Sequence, residues 1–356
     1  MSAQNVSGPR YAQEELQAFA ADIFVAEGLP RADAETMAKA LVAANLRGVD
    51  THGILRVPAY VRRLRAGLIN PTPQITTTAR RAFASVIDAD NAMGPVAMAH
   101  AIQACRASVE TLGIGAATVR RSNHFGAASV HTVPLAREGC IAMTMSPGSK
   151  SLAPHGSRAP LLGTNPMAVA APTGRYAPWS LDMAASVAAR GHIRLAEQEG
   201  KPIPEGWALD EAGRPTTDPA AAMRGVVLPF GGPKGSALSM MVDIFAGILA
   251  GAGFAGSTRD WNADFSGPSD VGHFLLVMKI DAFMDLYEFE TRMETAIDRL
   301  KALPTAEGVD EVLYPGERAG RSEAARRADG VPLGLKATQE LAALGAEHGL
   351  FLPAPL

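Results

Sequence analysis

A proline-rich break near residue 72 separates two parts of the sequence that differ in hydrophobic periodicity. Before the break, apolar residues between Glu14 and Asn45 recur at helical spacing, and Gly28-Leu29-Pro30 divides the run into two predicted helices. A third helix is predicted over residues 57–64, where apolar side chains share one face. Asn70-Pro71-Thr72-Pro73 then favours extended backbone. The chain therefore opens with a helical subdomain.

Strand-like and helix-like segments alternate after the break. Strands are predicted over residues 83–88, 116–120 and 141–146, with a helix over residues 96–112. Further helices are predicted over residues 284–300 and 338–344. This alternation indicates an α/β core.

One short segment resembles a dinucleotide-binding fingerprint. Gly113-Ile114-Gly115 lacks the third glycine and runs from a predicted helix into a predicted strand, whereas the fingerprint needs a strand that runs into a helix. We therefore reject a Rossmann phosphate loop and predict that Gly113 ends the helix as its C-cap.

Composition narrows the class of protein. A formal net charge of -3 over 356 residues offers no basic face for nucleic acid or anionic lipid. Cys105 and Cys140 are too few for a disulfide framework, and Met1–Tyr11 lacks an apolar signal-peptide core, so we expect a cytoplasmic protein. The most apolar segment, residues 237–255, contains Asp243, which favours a buried helix over a membrane span.

Two motifs carry acid/base chemistry. Asp50-Thr51-His52-Gly53 is followed by Arg56, and Ser122-Asn123-His124 follows about seventy residues later. Histidine exchanges protons near neutral pH, and a guanidinium offers a planar fork of donors to a carboxylate. Arg56 follows His52 by one helical turn, so both side chains can face one pocket. The pairing indicates chemistry on a small acid, and an exposed arginine or a structural histidine is the alternative for either residue alone.

A second glycine-rich segment, Leu228–Ser236, brings Lys234 to the start of a predicted long helix. Free amides, the helix dipole and the ammonium group would together stabilise a phosphate there, although a simple structural turn fits the motif equally well. The spacing is not that of a Walker loop.

Taken together, the motifs closely resemble those of the malate/L-lactate dehydrogenase family of NAD(P)-dependent oxidoreductases, which do not use a Rossmann fold. This family includes ureidoglycolate, sulfolactate and diketogulonate dehydrogenases and reductases of piperideine- and pyrroline-2-carboxylate. The resemblance runs from about Glu14 to the C-terminus. Its carriers, in family order, are Asp50-Thr51-His52-Gly53 with Arg56 and Tyr60, Ser122-Asn123-His124, Gly163-Thr164-Asn165-Pro166, Leu181-Asp182-Met183-Ala184, Gly232-Pro233-Lys234-Gly235 and Tyr314-Pro315-Gly316-Glu317.

The resemblance implies roles for the site residues. His52 or His124 moves the proton, and Asp182 orients the His52 imidazole. Thr51 stands where many members have serine, so the hydroxyl is kept but a methyl group narrows the site. The implied substrate contacts are Arg56, Tyr60, Thr164 and Asn165.

The resemblance also implies a cofactor, NAD(H) or NADP(H). The matching contact residues are Gly148, Asp182, Met183, Ala184, Lys234, Gly235, Gly316, Glu317 and Arg318. A basic cluster of Arg190, His192 and Arg194 favours a ribose phosphate, hence NADP, although a solvated surface explains it as well.

The family further implies a mixed-sheet α/β, non-Rossmann core of the sulfolactate dehydrogenase type and a homodimer. We expect a helical subdomain at residues 1–75, a cofactor-binding core at 76–318, and a C-terminal helical segment at 319–356 that packs on the first. The expected activity is hydride transfer between nicotinamide and C2 of a small 2-hydroxy or 2-oxo acid. Reduction of a cyclic imino acid and catalytically silent dinucleotide binding are the alternatives. No metal-ligand cluster accompanies the histidines, which disfavours a metal-dependent hydrolase.

Overall fold

The computed structural model describes residues 8–356, so most of the segment Met1–Tyr11, used above to argue against a signal peptide, lies outside the described residues. The helices are α1 (Gln13–Ala26), α2 (Arg31–Leu46), α3 (Val57–Arg65), α4 (Gly94–Leu112), α5 (Ser129–Arg137), α6 (Arg190–Glu199), α7 (Pro219–Arg224), α8 (Pro233–Val242), α9 (Leu286–Lys301), α10 (Glu317–Asp329) and α11 (Leu335–Ala346). The strands are β1 (Arg10–Tyr11), β2 (Thr76–Arg81), β3 (Ala84–Asp88), β4 (Ile114–Ser122), β5 (Cys140–Met145), β6 (Met167–Ala171), β7 (Trp179–Met183), β8 (Ala208–Leu209), β9 (Pro215–Thr216), β10 (Val226–Val227), β11 (Val271–Lys279) and β12 (Val331–Pro332).

The first three helices and the last one share a hydrophobic core. The buried face of α1, α2 and α3 was predicted from helical spacing, and the structure confirms these helices and the break between α1 and α2. Leu341 and Leu344 of α11 enter the same core, and β1 pairs with β12 next to it. The two ends of the described chain therefore meet in one helical layer, in which α1, α2 and α11 pack against α3.

A mixed sheet of seven strands forms the centre of the molecule, in the order β2-β3-β4-β11-β5-β6-β7. Only the β3–β4 pair is parallel. The central strand, β11, comes from far along the chain and pairs with both β4 and β5. The prediction of a mixed-sheet α/β fold is confirmed.

The turn after α4 bears out the rejection of a Rossmann loop. Gly113 caps α4 in the left-handed conformation, with φ of 72°, and β4 begins at the next residue. The segment thus runs from helix into strand, and no dinucleotide loop of the Rossmann type forms there.

The apolar segment at residues 237–255 differs from the predicted buried helix. It forms α8 and then a π-helical turn, Asp243–Ile248, which buries only one side. The other side carries exposed apolar residues, namely Met240, Ile244, Ile248, Leu249 and Phe254, with Ile248 55% exposed. Asp243 itself is buried, where its carboxylate accepts hydrogen bonds from Asn165 and from the amide of Ala255. None of the helices within residues 8–356 has the length and apolarity to cross a bilayer.

Candidate active site

The Asp50–Gly53 motif folds as a short 3-10 turn, and a second one, Ile54–Arg56, leads directly into α3. Asp50 is held by a bidentate ion pair with Arg326 of α10, at 2.6 and 3.0 Å, and by Asn45. Gly53 is required because a Cβ atom there would lie 2.2 Å from the Asn45 side-chain oxygen. Asp50 therefore anchors the turn that presents His52 and Arg56.

The structure brings the two predicted histidines together. Their ring centroids are 5.7 Å apart, and Nδ1 of His124 lies 2.7 Å from the phenol oxygen of Tyr60. Nδ1 of His52 lies 3.0 Å from the Thr51 hydroxyl. The backbone of His124 packs tightly on the start of α4, since a Cβ atom at Gly94 would lie 2.4 Å from the His124 carbonyl oxygen. Two distant motifs thus form one acid/base cluster.

Surrounding protein sets the charge state of this cluster. Both imidazoles keep part of their surface accessible while protein encloses them on most sides. Burial, with a smaller contribution from the nearby Arg56 charge, lowers the pKa of His52 to about 4. Burial, His52 and Arg56 lower the pKa of His124 well below its ordinary value. Burial raises the pKa of Tyr60, which keeps its hydroxyl protonated. Both histidines are therefore neutral at pH 7 in this structure.

Arg56 lies beside the histidines although it precedes the first residue of α3. Its Nε donates to the Thr51 carbonyl at 2.5 Å, and its guanidinium carbon lies 5.2 Å from the ring centre of Trp261. The Trp261 indole also stacks on His124, with centroids 4.3 Å apart and planes 13° from parallel. Sequence reasoning missed Trp261 because it lies in a polar, glycine-containing loop that carries no recognised motif.

Asp182 has a different partner from the one the resemblance implied. It lies at the end of β7, and its carboxylate accepts a hydrogen bond of 3.0 Å from the amide of Ser129 at the start of α5. Within residues 8–356 it forms no hydrogen bond with His52. Asp182 thereby joins β7 to the segment that follows His124. It does not orient the His52 imidazole directly in this structure.

Asn165 is buried and structural in its contacts. Its Nδ2 donates to the Ser239 carbonyl and to Asp243, at 2.8 and 3.1 Å, and its Oδ1 accepts from the Gly148 amide at 3.0 Å. The side chain is 0% exposed. The expected direct contact of Asn165 with substrate does not fit this environment, because both ends of the amide are already bonded. Thr164 next to it remains partly accessible.

Several candidate cofactor segments form one continuous surface. The amide of Ala185 donates to the Thr164 carbonyl at 2.7 Å, and the amide of Phe230 donates to the Ala185 carbonyl at 3.1 Å. These bonds join Asp182-Met183-Ala184 to the glycine-rich segment of Lys234 and Gly235. Gly148 lies against the other side, where a Cβ atom at Gly163 would be 2.4 Å from its carbonyl oxygen.

The predicted free amides at the start of α8 are not free. The amides of Lys234, Gly235 and Ser236 donate to backbone carbonyls of residues 231, 230 and 232. The Lys234 side chain is exposed and has no hydrogen bond or ion pair within the described part of the chain. Anion binding would therefore rest on this ammonium group and the helix dipole.

The third candidate segment meets the same surface near β7. Gly316 begins α10 in the left-handed conformation, and the amide of Ser180 donates to the Pro315 carbonyl at 3.0 Å. Glu317 is buried and ion-paired with Lys301 and Arg321, at 2.7 and 2.5 Å. Its contacts are structural, while Arg318 beside it is exposed.

The basic cluster that favoured NADP divides in the structure. Arg190 donates to the Met223 carbonyl at 2.8 Å and thereby joins α6 to α7. The charge of Arg194 is close enough to lower the pKa of Arg56, although burial is the larger cause. His192 and Arg194 are both exposed on α6. Within residues 8–356, no group of three or more histidine, cysteine or acidic side chains could hold a metal ion.

Known proteins match this chain over nearly its whole length. The family model for malate/L-lactate dehydrogenase matches residues 11–342. The L-sulfolactate dehydrogenase of Methanocaldococcus jannaschii is 34% identical over 329 residues, which cover 92% of this chain and 94% of that protein. A Pseudomonas putida reductase of Δ1-pyrroline-2-carboxylate and Δ1-piperideine-2-carboxylate is 34% identical over 325 residues, or 89% and 91% of the two chains.

Solved structures agree with these matches. The malate dehydrogenase of Entamoeba histolytica superposes with a TM-score of 0.92 at 28% identity, covering 98% of this chain and 100% of the other. Fold and site together define the class of NAD(P)-dependent oxidoreductases. The chain belongs to the malate/L-lactate dehydrogenase family, as the six motifs indicated.

Proposed function

We propose that this protein catalyses reversible, NAD(P)-dependent oxidation of a small 2-hydroxy acid to the 2-oxo acid. The observation that carries the proposal is the cluster of two neutral imidazoles, 5.7 Å apart, beside the guanidinium of Arg56. Arg56 binds the substrate carboxylate, because a guanidinium matches a carboxylate in charge and geometry. The accessible Thr164 completes the substrate contacts, whereas the Tyr60 phenol is buried and hydrogen-bonded to His124, which does not fit the expected direct contact with substrate.

The proton step falls to a histidine. A neutral imidazole accepts the hydroxyl proton during oxidation and returns it during reduction. The carboxylate of a bound substrate offsets the Arg56 charge, which raises the pKa of the nearby histidines and favours proton uptake. His52 faces the Thr51 hydroxyl, and His124 is fixed by Tyr60, so either imidazole is oriented for this task.

The residues present fit a dinucleotide. Among the described residues, Lys234 at the start of α8 has no ion-pair partner, and the hydroxyls of Ser180 and Ser186 on the adjoining segments are buried without a hydrogen-bond partner. Lys234 would hold the pyrophosphate, with Gly148, Asp182–Ala184 and Gly316–Arg318 around the rest of the cofactor. When bound, the nicotinamide supplies or accepts the hydride at C2.

One plate assay tests the proposal. Purified protein is mixed with NADH or NADPH and pyruvate, oxaloacetate, sulfopyruvate or pyrroline-2-carboxylate, with the hydroxy acids and NAD⁺ or NADP⁺ for the reverse direction. Absorbance change with one acid supports the proposal, and His52→Ala and His124→Ala should then lower turnover by about 10²- to 10⁴-fold with cofactor binding unchanged. Turnover equal to wild type in both variants would remove the histidines from the mechanism.

Reduction of a C=N bond is the second candidate. The similarity to the Pseudomonas putida reductase favours it, at the same 34% identity as the sulfolactate dehydrogenase. A cyclic imino acid also carries the carboxylate that Arg56 would bind. Turnover of pyrroline-2-carboxylate without turnover of any 2-oxo acid would select this activity.

Silent dinucleotide binding, the third possibility, rests on Thr51. The threonine hydroxyl lies 3.0 Å from Nδ1 of His52, so the polar contact expected of a serine is kept. This favours an active enzyme. Cofactor binding without turnover across the whole panel would favour the silent protein instead.

A homodimer and a cytoplasmic location are part of the same proposal. The exposed apolar residues of α8 and the following π-helical turn lie on one face. This face supports association with a second copy, because contiguous exposed apolar patches mark interfaces. Both cysteines are free and buried, which fits a reducing compartment. Light scattering of wild type and Ile248→Asp tests the first point, with monomers expected for the variant alone. Cell fractionation tests the second.

A further inference from the structure

We propose that Trp261 is a positioning residue that holds the His124 imidazole and the Arg56 guanidinium in place for the reaction, and that Arg63 locks the loop segment bearing it. The proposal rests on the proposed function, because it assigns a task at the same site. The segment in question, Asp260–Gly267, lies between the π-helical turn and β11 and is named here the indole loop.

The Trp261 indole contacts three members of the site at once. It stacks on His124 at 4.3 Å and on Tyr60 at 5.4 Å between ring centroids, and the Arg56 guanidinium carbon lies 5.2 Å from its ring centre. Stacked aromatic pairs and a cation over an indole face each stabilise the arrangement beyond the apolar area they bury. The indole thus covers one face of His124 and leaves the other toward His52.

Arg63 holds the indole loop from inside the protein. It is 1% exposed, and its guanidinium donates to the carbonyls of Trp261, Asp264 and Gly267 at 3.2, 2.8 and 3.2 Å. The Arg63 guanidinium carbon also lies 5.4 Å from the centre of the Phe265 ring. The three carbonyls satisfy Nη1 and Nη2 of the guanidinium, while its buried Nε has no hydrogen-bond partner within residues 8–356. The loop carbonyls therefore stabilise the buried charge, and the charge holds the loop.

The helix α3 therefore supplies both the contact of Tyr60 with His124 and the contact of Arg63 with the indole loop. Tyr60 and Arg63 are three residues apart on α3 and lie near one face. Tyr60 reaches His124 directly, and Arg63 reaches it through Trp261. A shift of α3 would displace the phenol and the indole together.

The other end of the indole loop meets the candidate cofactor surface. The Asp260 carboxylate accepts from the amides of Asn262 and Ala263, at 2.8 and 3.0 Å, and from the Ser149 hydroxyl at 3.2 Å. Ser149 follows Gly148 directly. The backbone of Trp261 is consequently held at two points, by Arg63 at its carbonyl and by the bonds of the preceding residue Asp260, which suits a group that sets the position of others.

Trp261 also influences proton transfer through its ring face. The electron-rich face of an indole attracts a cation, so it stabilises the imidazolium of His124 when a proton is taken up. Removal of the indole should therefore lower the affinity of His124 for a proton, while loss of the stack frees the ring to rotate.

Four variants test the proposal with turnover. Trp261→Leu removes the aromatic face, Trp261→Phe retains a smaller one, Arg63→Met releases the loop, and Trp207→Phe is a matched control elsewhere. We expect kcat to fall at least tenfold and the KM of the acid to rise in Trp261→Leu, with the KM of the cofactor within twofold of wild type. Trp261→Phe should recover most of the activity, and the control all of it. A kcat/KM within twofold of wild type for Trp261→Leu would overturn the proposal.

Fluorescence gives a readout that needs no turnover. A protonated imidazole quenches a stacked indole. The Trp261 emission, taken as the difference between proteins with and without Trp261→Phe, should therefore change as the pH falls well below 6.5 and should lose that change in a His124→Asn background. Arg63→Met should shift the same emission to longer wavelength while circular dichroism stays native. If neither His124→Asn nor Arg63→Met changes the Trp261 emission, the proposal is overturned. If the wild type shows no turnover in the plate assay, only the proposed function is contradicted. The fluorescence measurement then still tests the contact between Trp261 and His124.

Discussion

The Tyr60 phenol lies 2.7 Å from Nδ1 of His124 and connects α3 with the loop after β4. Burial raises the pKa of Tyr60, so the group is a neutral phenol whose oxygen can accept a hydrogen bond from Nδ1–H. With its proton on Nδ1, the neutral imidazole leaves Nε2 free to accept the substrate proton. A single hydrogen bond thereby selects the tautomer of a candidate catalytic residue.

Removal of this hydrogen bond should slow the reaction without unfolding the protein. Tyr60→Phe keeps the ring and its stack on Trp261 but leaves Nδ1–H without its acceptor. We expect kcat to fall by about tenfold, which corresponds to about 1.4 kcal/mol, the size of one hydrogen bond. Steady-state kinetics measures the effect, and a melting temperature close to wild type serves as the control. Unchanged kcat and KM would show that the tautomer does not matter.

The pH dependence of oxidation should reflect the lowered histidine pKa values. His52 has a pKa of about 4, so the base is neutral and active above that pH and is lost by protonation only below it. We expect kcat/KM for the hydroxy acid to be flat between about pH 6 and 8 and to fall only in stronger acid. A fall centred on the ordinary histidine pKa of about 6.5 would contradict this.

The Arg56 charge contributes to the lowered pKa of His52, so substitution of Arg56 should change the pH dependence of kcat/KM. In Arg56→Gln the repulsion between guanidinium and imidazole is gone, and the acid limb of kcat/KM should move to higher pH. The KM of the acid should rise at least tenfold because the carboxylate loses its partner. Arg56→Lys, which retains the charge, is the matched control for the pH limb. A KM that does not change in Arg56→Gln would place the carboxylate elsewhere.

His273 should make stability depend on pH. It is buried in β11 between the hydroxyls of Ser122 and Ser146, each at 2.9 Å, and burial lowers its pKa to about 3. Between about pH 6.5 and 3 the unfolded chain binds a proton that the folded chain excludes, so stability falls as pH falls in this window. The slope is about 1.4 kcal/mol per pH unit for one such group.

Urea unfolding at pH 7, 5.5 and 4.5 measures this slope. His273→Gln should lower the free energy of unfolding at pH 7 by about 1–3 kcal/mol, because the serines lose a partner. It should also reduce the pH slope below pH 6. His192→Gln, at an exposed position on α6, controls for loss of an imidazole. A slope that His273→Gln leaves intact would assign it to other groups, such as His131, whose pKa burial also lowers to about 4.

Lys234 should affect the cofactor and not the acid. In Lys234→Gln the charge at the start of α8 is lost, so the KM of the cofactor should rise at least tenfold while kcat at saturation changes little. Lys336→Gln, at an exposed position on α11, is the control. Equal cofactor KM values in both variants would remove Lys234 from the binding site.

Helical spacing predicted α1 to α4 well because these helices bury apolar stripes. It missed α10, whose buried residues are Glu317 and Glu323. Glu323 is paired with Arg47, Arg137 and Arg327, so this helix packs through ions and carries no apolar period to detect. Four of the seven strands of the main sheet, β2, β6, β7 and β11, were likewise not predicted. β11 is buried along most of its length and shows no alternation of apolar and polar residues.

The sequence by itself determined the helical opening, the absence of a Rossmann loop, the family, and the histidines, arginine and glycine-rich segments that mark the site. Those features are local, set by periodicity, by turn residues and by motifs of a few residues. Only the tertiary structure decided that Tyr60 meets His124, that Trp261 covers it, that Asp182 bonds Ser129, and that Asn165 is buried. The first three of these contacts join residues more than fifty positions apart, and their meeting depends on how the helical layer packs against the sheet, which no local pattern encodes.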